Sequence, residues 1–205
     1  MALVKLNNRG VRSATTFGSI SALGSMTFIK KQTASSSATI SFVDGTSDVV
    51  LDDTYKEYLF TFNNIHPETD NVDFTFQGNA AGGSGYNETM TTTVFRALHD
   101  EADSAATMNY DSGRDQAQGT AFQILAHEIG NGNDDSCVSG SLHLFNPSST
   151  TFVKHFMSTV NLYAASNMSE NKFTAGYFNT TSAIDAIQFK MSSGDIDAGD
   201  ICLYG

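Results

Sequence analysis

Tryptophan is absent from this chain of 205 residues, and proline and cysteine each occur only twice. The absence of indole rings disfavours a module that binds sugars by stacking them on tryptophan. No run of about 18 apolar residues is present, so the sequence predicts no membrane insertion. The N-terminus also lacks the apolar stretch of about 7–15 residues that a secretion signal requires. We therefore expect synthesis in a reducing cytoplasm.

The two cysteines are far apart and have no metal-binding or redox spacing. Cys137 follows an acidic polar stretch, and Cys202 lies in the last apolar segment. In a reducing compartment such isolated cysteines are expected to remain thiols, with a disulfide as the less favoured alternative.

Charge is unevenly distributed along the chain, whose formal net charge is −11. Residues 1–31 hold five basic residues and no acid, a charge of +5, whereas the rest holds 6 basic and 22 acidic residues, a charge of −16. The acidic body disfavours nucleic acid as a ligand, because phosphate contacts need positive charge. A basic segment on an acidic body predicts that the two parts face different partners.

The most regular pattern lies in residues 141–165. Apolar residues alternate with polar ones on both sides of a turn at 146–149, which combines Pro147 with Asn and Ser side chains. This pattern predicts two long antiparallel strands joined by a short loop at the centre of a β-sandwich. Neighbouring strands must cover the apolar face of this hairpin.

Strand patterns recur through most of the remaining chain. Further strands are predicted near residues 26–29, 38–43, 57–65, 72–76, 89–98, 172–178, 183–191 and 201–204, and residues 122–129 favour a strand over a helical turn. With 15 Phe to fill a core and no long helical period, residues 26–205 predict an all-β fold. We expect one antiparallel β-sandwich domain of jelly-roll type with about ten strands.

Residues 99–119 form the longest polar segment of the chain. A surface loop of this length is uncommon in a compact domain and is usually functional or mobile. We interpret it as a loop that faces a receptor, and its candidate contact residues are Asp100, Asp103, Tyr110 and Arg114.

The sequence indicates no catalytic site. Residues 127–131 begin like the zinc-protease motif HExxH, but Asn131 stands where the second histidine is required. His143 and His155 are close enough in sequence to face each other across the central hairpin, although surface histidines, or sheet histidines with their own partners, are the favoured interpretation. We predict a protein that is not an enzyme and that has no cofactor or metal.

Calcium binding is the alternative that the acidic segments leave open. Residues 52–53, 134–135 and 195–200 are rich in aspartate, but none matches the twelve-residue calcium loop with its central glycine and closing glutamate. Acidic turns on a solvated surface are the favoured interpretation.

Residues 1–25 show no sustained period of 3.6 or 2 and combine small polar residues with apolar ones. Such a composition is typical of an extended arm that becomes ordered on contact with a partner. We expect this N-terminal arm to dock the protein, with exchange between subunits as the alternative. The candidate docking residues are Lys5, Leu6, Arg9, Val11, Arg12, Phe17 and Ile20.

Three segments carry a resemblance to a known group of proteins. They are residues 146–156 (NPSSTTFVKHF), 175–184 (AGYFNTTSAI) and the ending 192–205 (SSGDIDAGDICLYG). With residues 55–58 and 65–67, they make most of 26–205 similar to small β-sandwich virion structural proteins of marine tailed bacteriophages, especially those of cyanobacteria. Similar domains end phage tail fibres and other surface proteins. The shared motifs are structural and bring no catalytic residues.

The resemblance implies a place on a virion, made in the cytoplasm of a host bacterium and bound to other capsid or tail proteins. A short arm without heptads or collagen-like triplets favours a capsid decoration protein or short fibre over a long tail fibre. We expect a homo-oligomer, with a trimer favoured, because virion proteins occupy symmetric positions. The alternative is a tail-fibre module that binds a host receptor or surface glycan.

Overall fold

The computed structural model describes residues 26–83, 85–132 and 136–205. The predicted N-terminal arm, including all seven candidate docking residues, lies outside the described residues. The acidic pair 134–135 also lies outside them.

Twelve strands are present in the described part of the chain, against the ten or so that the sequence predicts. In chain order they are β1 (Phe28–Thr33), β2 (Ile40–Val43), β3 (Glu57–Pro67), β4 (Val72–Ala80), β5 (Met90–Asp100), β6 (Ala106–Tyr110), β7 (Gln123–Ile129), β8 (Val138–Phe145), β9 (Lys154–Ala164), β10 (Met168–Phe178), β11 (Ile184–Met191) and β12 (Ile196–Tyr204).

All strand pairs are antiparallel, and they form two layers. The larger layer has the order β6-β5-β10-β9-β8-β3-β12-β1, and the smaller layer has the order β7-β4-β11-β2. A single bridge between Ile129 of β7 and Ala164 of β9 links the layers along one side, so that the sheet nearly closes into a barrel. This architecture confirms the predicted all-β, jelly-roll-like sandwich.

Aromatic side chains from both layers fill the space between them. Phe189 of β11 lies at the centre, with its ring centroid 5.3 Å from that of Phe62 and 5.4 Å from that of Phe60, both in the opposite layer. Within its own layer it stacks on Phe74 at 5.8 Å. Strand alternation directs these rings inward, and each fully buried ring contributes roughly 2–3 kcal/mol through the apolar surface removed from water.

The predicted central hairpin is confirmed as β8 and β9, which pair from Val138↔Leu162 to Leu144↔Phe156 and lie in the middle of the sheet. Alternation along β9 buries Phe156, Val160 and Leu162. Lys154 also falls on the buried face, which the apolar pattern does not predict.

The interpretation of residues 99–119 as one long loop is wrong. β5 continues to Asp100, and β6 turns back along it from Ala106 to Tyr110, so the first half of the segment is a hairpin. Both faces of β6 are exposed. Because main-chain hydrogen bonds to β5 hold it in place, its side chains need no apolar alternation and the sequence shows no strand pattern there.

Two other strands begin earlier than the sequence predicts. β10 starts at Met168 rather than at residue 172, and β12 starts at Ile196 rather than at residue 201. The polar and acidic residues at both starts are accommodated by pairing to neighbouring strands, with irregular register between β12 and β3. The acidic segment 195–200 is therefore largely a bulged strand rather than a loop.

Candidate interaction surface

Strand register aligns the outward-facing side chains of the larger layer into rows. His143 of β8 stands opposite Met157 of β9, which stands opposite Ala175 of β10 and then Thr93 of β5. A parallel row joins Thr159, Phe173, Phe95 and Tyr110.

We call the outward-facing residues of the five central strands of this layer the outer face. Its members include Glu57, Leu59, Thr61, Thr91, Thr93, Phe95, Ser141, His143, Phe145, His155, Met157, Thr159, Phe173, Ala175 and Tyr177. Glu57, at the start of β3, is the one charged residue among them, although the chain as a whole carries −11. Depletion of charge is characteristic of the core of protein interfaces.

A groove of about 370 Å³ crosses the outer face, and its walls include Phe145, His155, Met157 and Tyr177. Its floor includes Gly176, where a Cβ atom would lie 2.6 Å from the Thr91 carbonyl oxygen. Glycine at this position therefore allows the backbones of β10 and β5 to approach each other closely on the floor of the groove.

Beside the groove, exposed aromatic and apolar side chains extend toward the edge of the sheet. The rings of Phe95 and Phe173 stack with centroids 4.7 Å apart. Phe95 is 45% exposed, Tyr110 52% and Met108 78%. Large apolar residues that share one exposed face mark interaction sites more often than isolated ones do.

The four candidate receptor residues lie at opposite ends of β6. At the hairpin turn, Asp100 accepts the amide protons of Ser104 and Ala105, at 2.8 and 2.9 Å, so its carboxylate stabilises the turn. Asp103 lies in the same turn, 3.2 Å from the His99 ring. The structure thus gives these two residues a local structural role.

Tyr110 and Arg114 lie at the other end of β6 and in the turn after it. The Tyr110 hydroxyl donates to Asp115, and this hydrogen bond raises the pKa of Tyr110. Arg114 pairs with Glu128 of β7 at 3.6 Å. The structure therefore does not bring the four predicted residues together into one site.

The residues after β6 cover the edge of β5. Thr92 donates its amide proton to the Gln116 carbonyl at 2.9 Å, and Met90 and Gly119 exchange two main-chain hydrogen bonds. The Thr92 side chain reaches inward to Gln123 of β7 at 2.8 Å. A polar layer therefore lies between β5 and β7, beside the aromatic core.

A buried network of charged side chains forms the centre of this polar layer. Arg96 Nη1 lies 2.9 Å from Glu170 Oε2 and 2.8 Å from His127 Nε2. Lys172 Nζ lies 3.1 Å from Asp111 Oδ2 and 3.6 Å from Glu170 Oε1. Lys172, Glu170 and His127 are almost fully buried, so this network joins β10, β5 and β7 inside the sandwich.

The His127 ring lies between charged groups on both of its nitrogen atoms. A guanidinium group only donates, so His127 Nε2 accepts from Arg96. His127 Nδ1 lies 2.9 Å from Lys172 Nζ and 3.2 Å from Glu170 Oε1.

Burial and pairing act in opposite directions on the ionisation of the network. Burial by itself raises the pKa of Glu170, but the His127 contact and the charges of Lys172 and Arg96 outweigh it and lower that pKa. The pKa of Asp111 is lowered in the same way, against burial, chiefly by Lys172. Burial lowers the pKa of Lys172, and its two carboxylate partners only partly offset this.

Sequence reasoning missed this network. The sequence starts the predicted strand at residue 172, so Glu170 and Lys172 are not seen as neighbours on one face. The alternation of Glu170, Lys172 and Thr174 is the signal that would have placed them together. His127 and Glu128 were considered only as part of a zinc motif. In the structure, His127 lies inside a strand and contacts Arg96 and Lys172.

The other histidines have separate environments, as the sequence interpretation favoured. The His143 ring contacts the Glu57 carboxylate, and the His155 ring packs against Tyr177 at 5.9 Å. Within residues 26–83, 85–132 and 136–205, no group of three or more His, Cys, Asp or Glu side chains is arranged to hold a metal ion. Over the same ranges, no helix is long and apolar enough to cross a membrane.

Comparison with protein-family models, with curated proteins and with solved structures finds no match to this chain. The fold and its surfaces are therefore the basis for a functional proposal.

Proposed function

We propose that this protein is a non-enzymatic structural protein of a bacteriophage virion. Residues 1–25 attach it to other capsid or tail proteins, and the sandwich is displayed on the particle surface as a capsid decoration or short fibre. The observation that carries the proposal is the outer face, which has a single charged residue on an otherwise acidic molecule. The sequence resemblance to phage β-sandwich proteins is the reason for proposing a location on a virion.

Electrostatics supports a role in assembly for the outer face. Copies of a molecule with a net charge of −11 repel each other through most of their surfaces. The outer face, whose one charged member is Glu57 beside His143, reduces this repulsion and exposes Phe95 and Met157 for burial. We therefore propose that the outer face contacts other proteins of the particle, and that the assembled state is a homo-oligomer, with a homotrimer favoured.

The arm differs in charge from the body and supports attachment to an acidic partner surface. Lys5, Arg9 and Arg12 pair with carboxylates there, while apolar residues such as Val11 and Phe17 supply most of the affinity. Exposed ion pairs contribute only about 0–1 kcal/mol each, so the apolar contacts determine the affinity of the arm for its partner.

The test is incorporation into virions of a chain that lacks residues 1–24. We expect the truncated protein to fold and to be absent from purified particles. A matched full-length variant, in which Lys5, Arg9 and Arg12 are all replaced by Gln, separates charge from apolar contact and should incorporate at a reduced level. Normal copy number of the truncated protein in particles would refute docking through the arm.

A second candidate function is recognition of a host receptor or surface glycan. It is favoured by the exposed rings of Phe95 and Tyr110 and by the half-buried Phe173 ring that stacks on Phe95, since flat aromatic surfaces pack against sugar rings. Binding of the purified protein to host envelope fractions, compared with the Phe95→Ala variant and a Thr107→Ala control on the opposite face, tests this alternative. Binding that F95A abolishes and T107A preserves would favour recognition over assembly.

A further inference from the structure

The edges of the two layers differ in how they are protected. β1 carries Lys30 and Lys31, and charged residues on an edge strand oppose pairing with another chain. β2 is only four residues long, and the Gln32 side chain donates to its Ser41 carbonyl at 2.7 Å. β7, the other edge of the smaller layer, is linked to β9 through Ile129 and Ala164. The fourth edge strand, β6, has none of these kinds of protection.

β6 reads Ala-Thr-Met-Asn-Tyr, without charge or proline, and every one of its residues is exposed. It pairs with β5 on one side, and among the described residues no strand pairs with its other side. A sheet edge of this kind presents a row of unpaired main-chain donors and acceptors.

The hydrogen bonds at both ends of the β5–β6 hairpin define which residues face outward. Asp111 donates its amide proton to the Val94 carbonyl at 2.9 Å, and Asp100 donates to the Ala105 carbonyl at 3.0 Å. Hydrogen-bonded pairs in an antiparallel ladder recur at every second residue. The odd-numbered residues from 105 to 111 therefore direct their amide and carbonyl groups toward β5.

Ala106, Met108 and Tyr110 consequently direct their amide and carbonyl groups away from the molecule. The Tyr110 carbonyl accepts the Asn109 side-chain amide at 3.0 Å, and a carbonyl oxygen retains a second lone pair for another donor. The side chains of the three outward-facing residues lie in register with Phe95 and Ala97, on the same side of the sheet as the outer face.

We propose that β6 is an oligomerisation edge, at which it pairs antiparallel with β6 of a second copy of this chain about a two-fold axis at Met108. In that register the Met108 amide of each copy donates to the Met108 carbonyl of the other. Ala106 of one copy pairs with Tyr110 of the other on both sides of the axis. An antiparallel edge is complementary to itself under this rotation, so one strand supplies both halves of the contact.

The self-complementary edge selects a second copy as the occupant, and the absence of charge on β6 permits it. Two molecules that each carry −11 approach most favourably where neither presents charge, and residues 106–110 are uncharged in both. Pairing also places Met108 against Met108 and the Tyr110 ring over Ala106 of the second copy. These apolar contacts cover side chains that are now 78% and 52% exposed.

The contact involves only five residues of each chain. The area that it buries is therefore smaller than the total of about 1,200–2,000 Å² buried in stable specific interfaces. We therefore expect association to depend on concentration in solution and to be promoted on a surface that holds many copies close together. This inference does not depend on the surface being a virion.

The Met108→Pro variant tests the pairing selectively. Proline removes the outward-facing amide at the symmetry axis, whereas the inward hydrogen bonds of β6 are made by its odd-numbered residues. The Met108→Thr variant is the matched control, because it keeps the amide and removes the same apolar side chain. Circular dichroism establishes that both variants retain the sheet.

Sedimentation equilibrium over a range of concentrations measures the result. We expect the wild-type mass to rise with concentration, M108P to halve the mass of the largest species, and M108T to remain self-associating. Hydrogen exchange on the wild type should show protection of the Ala106, Met108 and Tyr110 amides that increases with concentration.

A wild type that stays monomeric at its solubility limit would overturn the pairing, as would an M108P variant that associates like the wild type. A trimer whose mass M108P leaves unchanged would also overturn it, while leaving the proposed virion role standing. Loss of the N-terminal arm should not change the effect of M108P, which separates this contact from docking through the arm.

Discussion

Two lysine ammonium groups are buried in this sandwich, and their partners differ. Lys172 Nζ lies between the Asp111 and Glu170 carboxylates. Lys154 Nζ instead donates to two main-chain carbonyls, those of Phe152 at 3.0 Å and Thr180 at 3.1 Å. Burial lowers the pKa of both lysines. The loss of stability on replacing each lysine therefore depends on which buried groups lose their partner, carboxylates for Lys172 and main-chain carbonyls for Lys154.

Replacing Lys172 by Met should destabilise the protein by about 3–5 kcal/mol, because two buried carboxylates lose their cation. Replacing Lys154 by Met should cost less, about 1–3 kcal/mol, because it leaves only carbonyl oxygens without a donor and removes the penalty of burying a charge. Urea unfolding of both variants measures the difference. Equal losses of unfolding free energy in the two variants would contradict the stated difference between carboxylate and carbonyl partners.

The same network predicts a loss of stability in acid. The pKa values of Asp111 and Glu170 are lowered in the folded state, so both groups bind protons less readily there than in the unfolded chain. Their contribution is fully present above the ordinary carboxyl pKa of about 4 and is lost as pH falls through their folded values.

We therefore expect the free energy of unfolding to fall below about pH 4, and the Asp111→Asn variant to reduce this dependence. Asp103→Asn, which removes an exposed carboxylate from the hairpin turn, is the control. Urea unfolding at a series of pH values makes the measurement. An unchanged pH slope in D111N would contradict the assignment.

At the scale of single residues, sequence pattern predicted the core well and the polar interior poorly. Alternation in the predicted strand 57–65 directs Tyr58, Phe60 and Phe62 inward, and each is fully buried. Alternation assigns polar residues to solvent, so Glu170 and Lys172 were not placed inside. Their burial depends on Arg96 and Asp111, which are distant in sequence and are brought near by strand pairing.

At the scale of elements, the bulged pairing of β12 with β3 has a specific backbone requirement at Gly199. Its φ is +116°, and a Cβ atom there would lie 2.5 Å from the Asn64 carbonyl oxygen. The register between the two strands is irregular on both sides of Ala198. Glycine therefore permits β12 to follow the bulge of β3.

Replacing Gly199 by Ala should cost about 2–4 kcal/mol, because the positive φ and the close backbone contact both oppose a side chain. Gly45→Ala is the matched control. Its φ is +70°, but no atom lies within 4 Å of the added Cβ, so only about 1 kcal/mol of backbone strain is expected. Thermal unfolding compares the two, and equal shifts would exclude the contact with β3 as the cause.

Elements with an apolar face were predicted from sequence, and elements without one were not. The hairpin of β8 and β9 was identified because Leu142, Leu144 and Phe156 alternate toward the core. β6 was not, because the five residues of Ala106–Tyr110 bury nothing and only their main chain specifies the strand. The proposed oligomerisation edge is thus invisible to hydrophobic patterning.

At the scale of the whole molecule, the buried core is built from residues 34–203. The first described residues are clamped to the end of the chain, since Thr27 and Gly205 exchange two main-chain hydrogen bonds at 2.7 and 3.0 Å. Among the described residues, the core and this terminal clamp therefore use only residues from Thr27 onward.

Deleting residues 1–24 should leave the circular-dichroism spectrum unchanged and the melting temperature within about 2 °C of the full chain. Deleting residues 1–33 is the comparison. It removes β1 and exposes the edge of β12, and it should lower the melting temperature by about 5–10 °C. If the shorter deletion were as damaging as the longer one, the arm would contribute to the fold itself.

The fold class of the whole molecule followed from composition and strand spacing, whereas the interaction surface did not. The outer face results from register, which places His143, Met157, Ala175 and Thr93 in one row although they come from four strands. Register depends on pairing between segments far apart in the chain, and a single sequence does not specify it.

The position of β12 between β1 and β3 also has a consequence for synthesis on the ribosome. β3 ends at Pro67, and the strand that joins it to β1 begins only at Ile196. At about 5–20 residues per second, β12 follows β3 after roughly 6–26 s, and until then the main-chain donors and acceptors on that side of β3 are unpaired. The larger layer thus closes only after residue 196 has been made, and a ribosome that stalls before it should release a chain that aggregates.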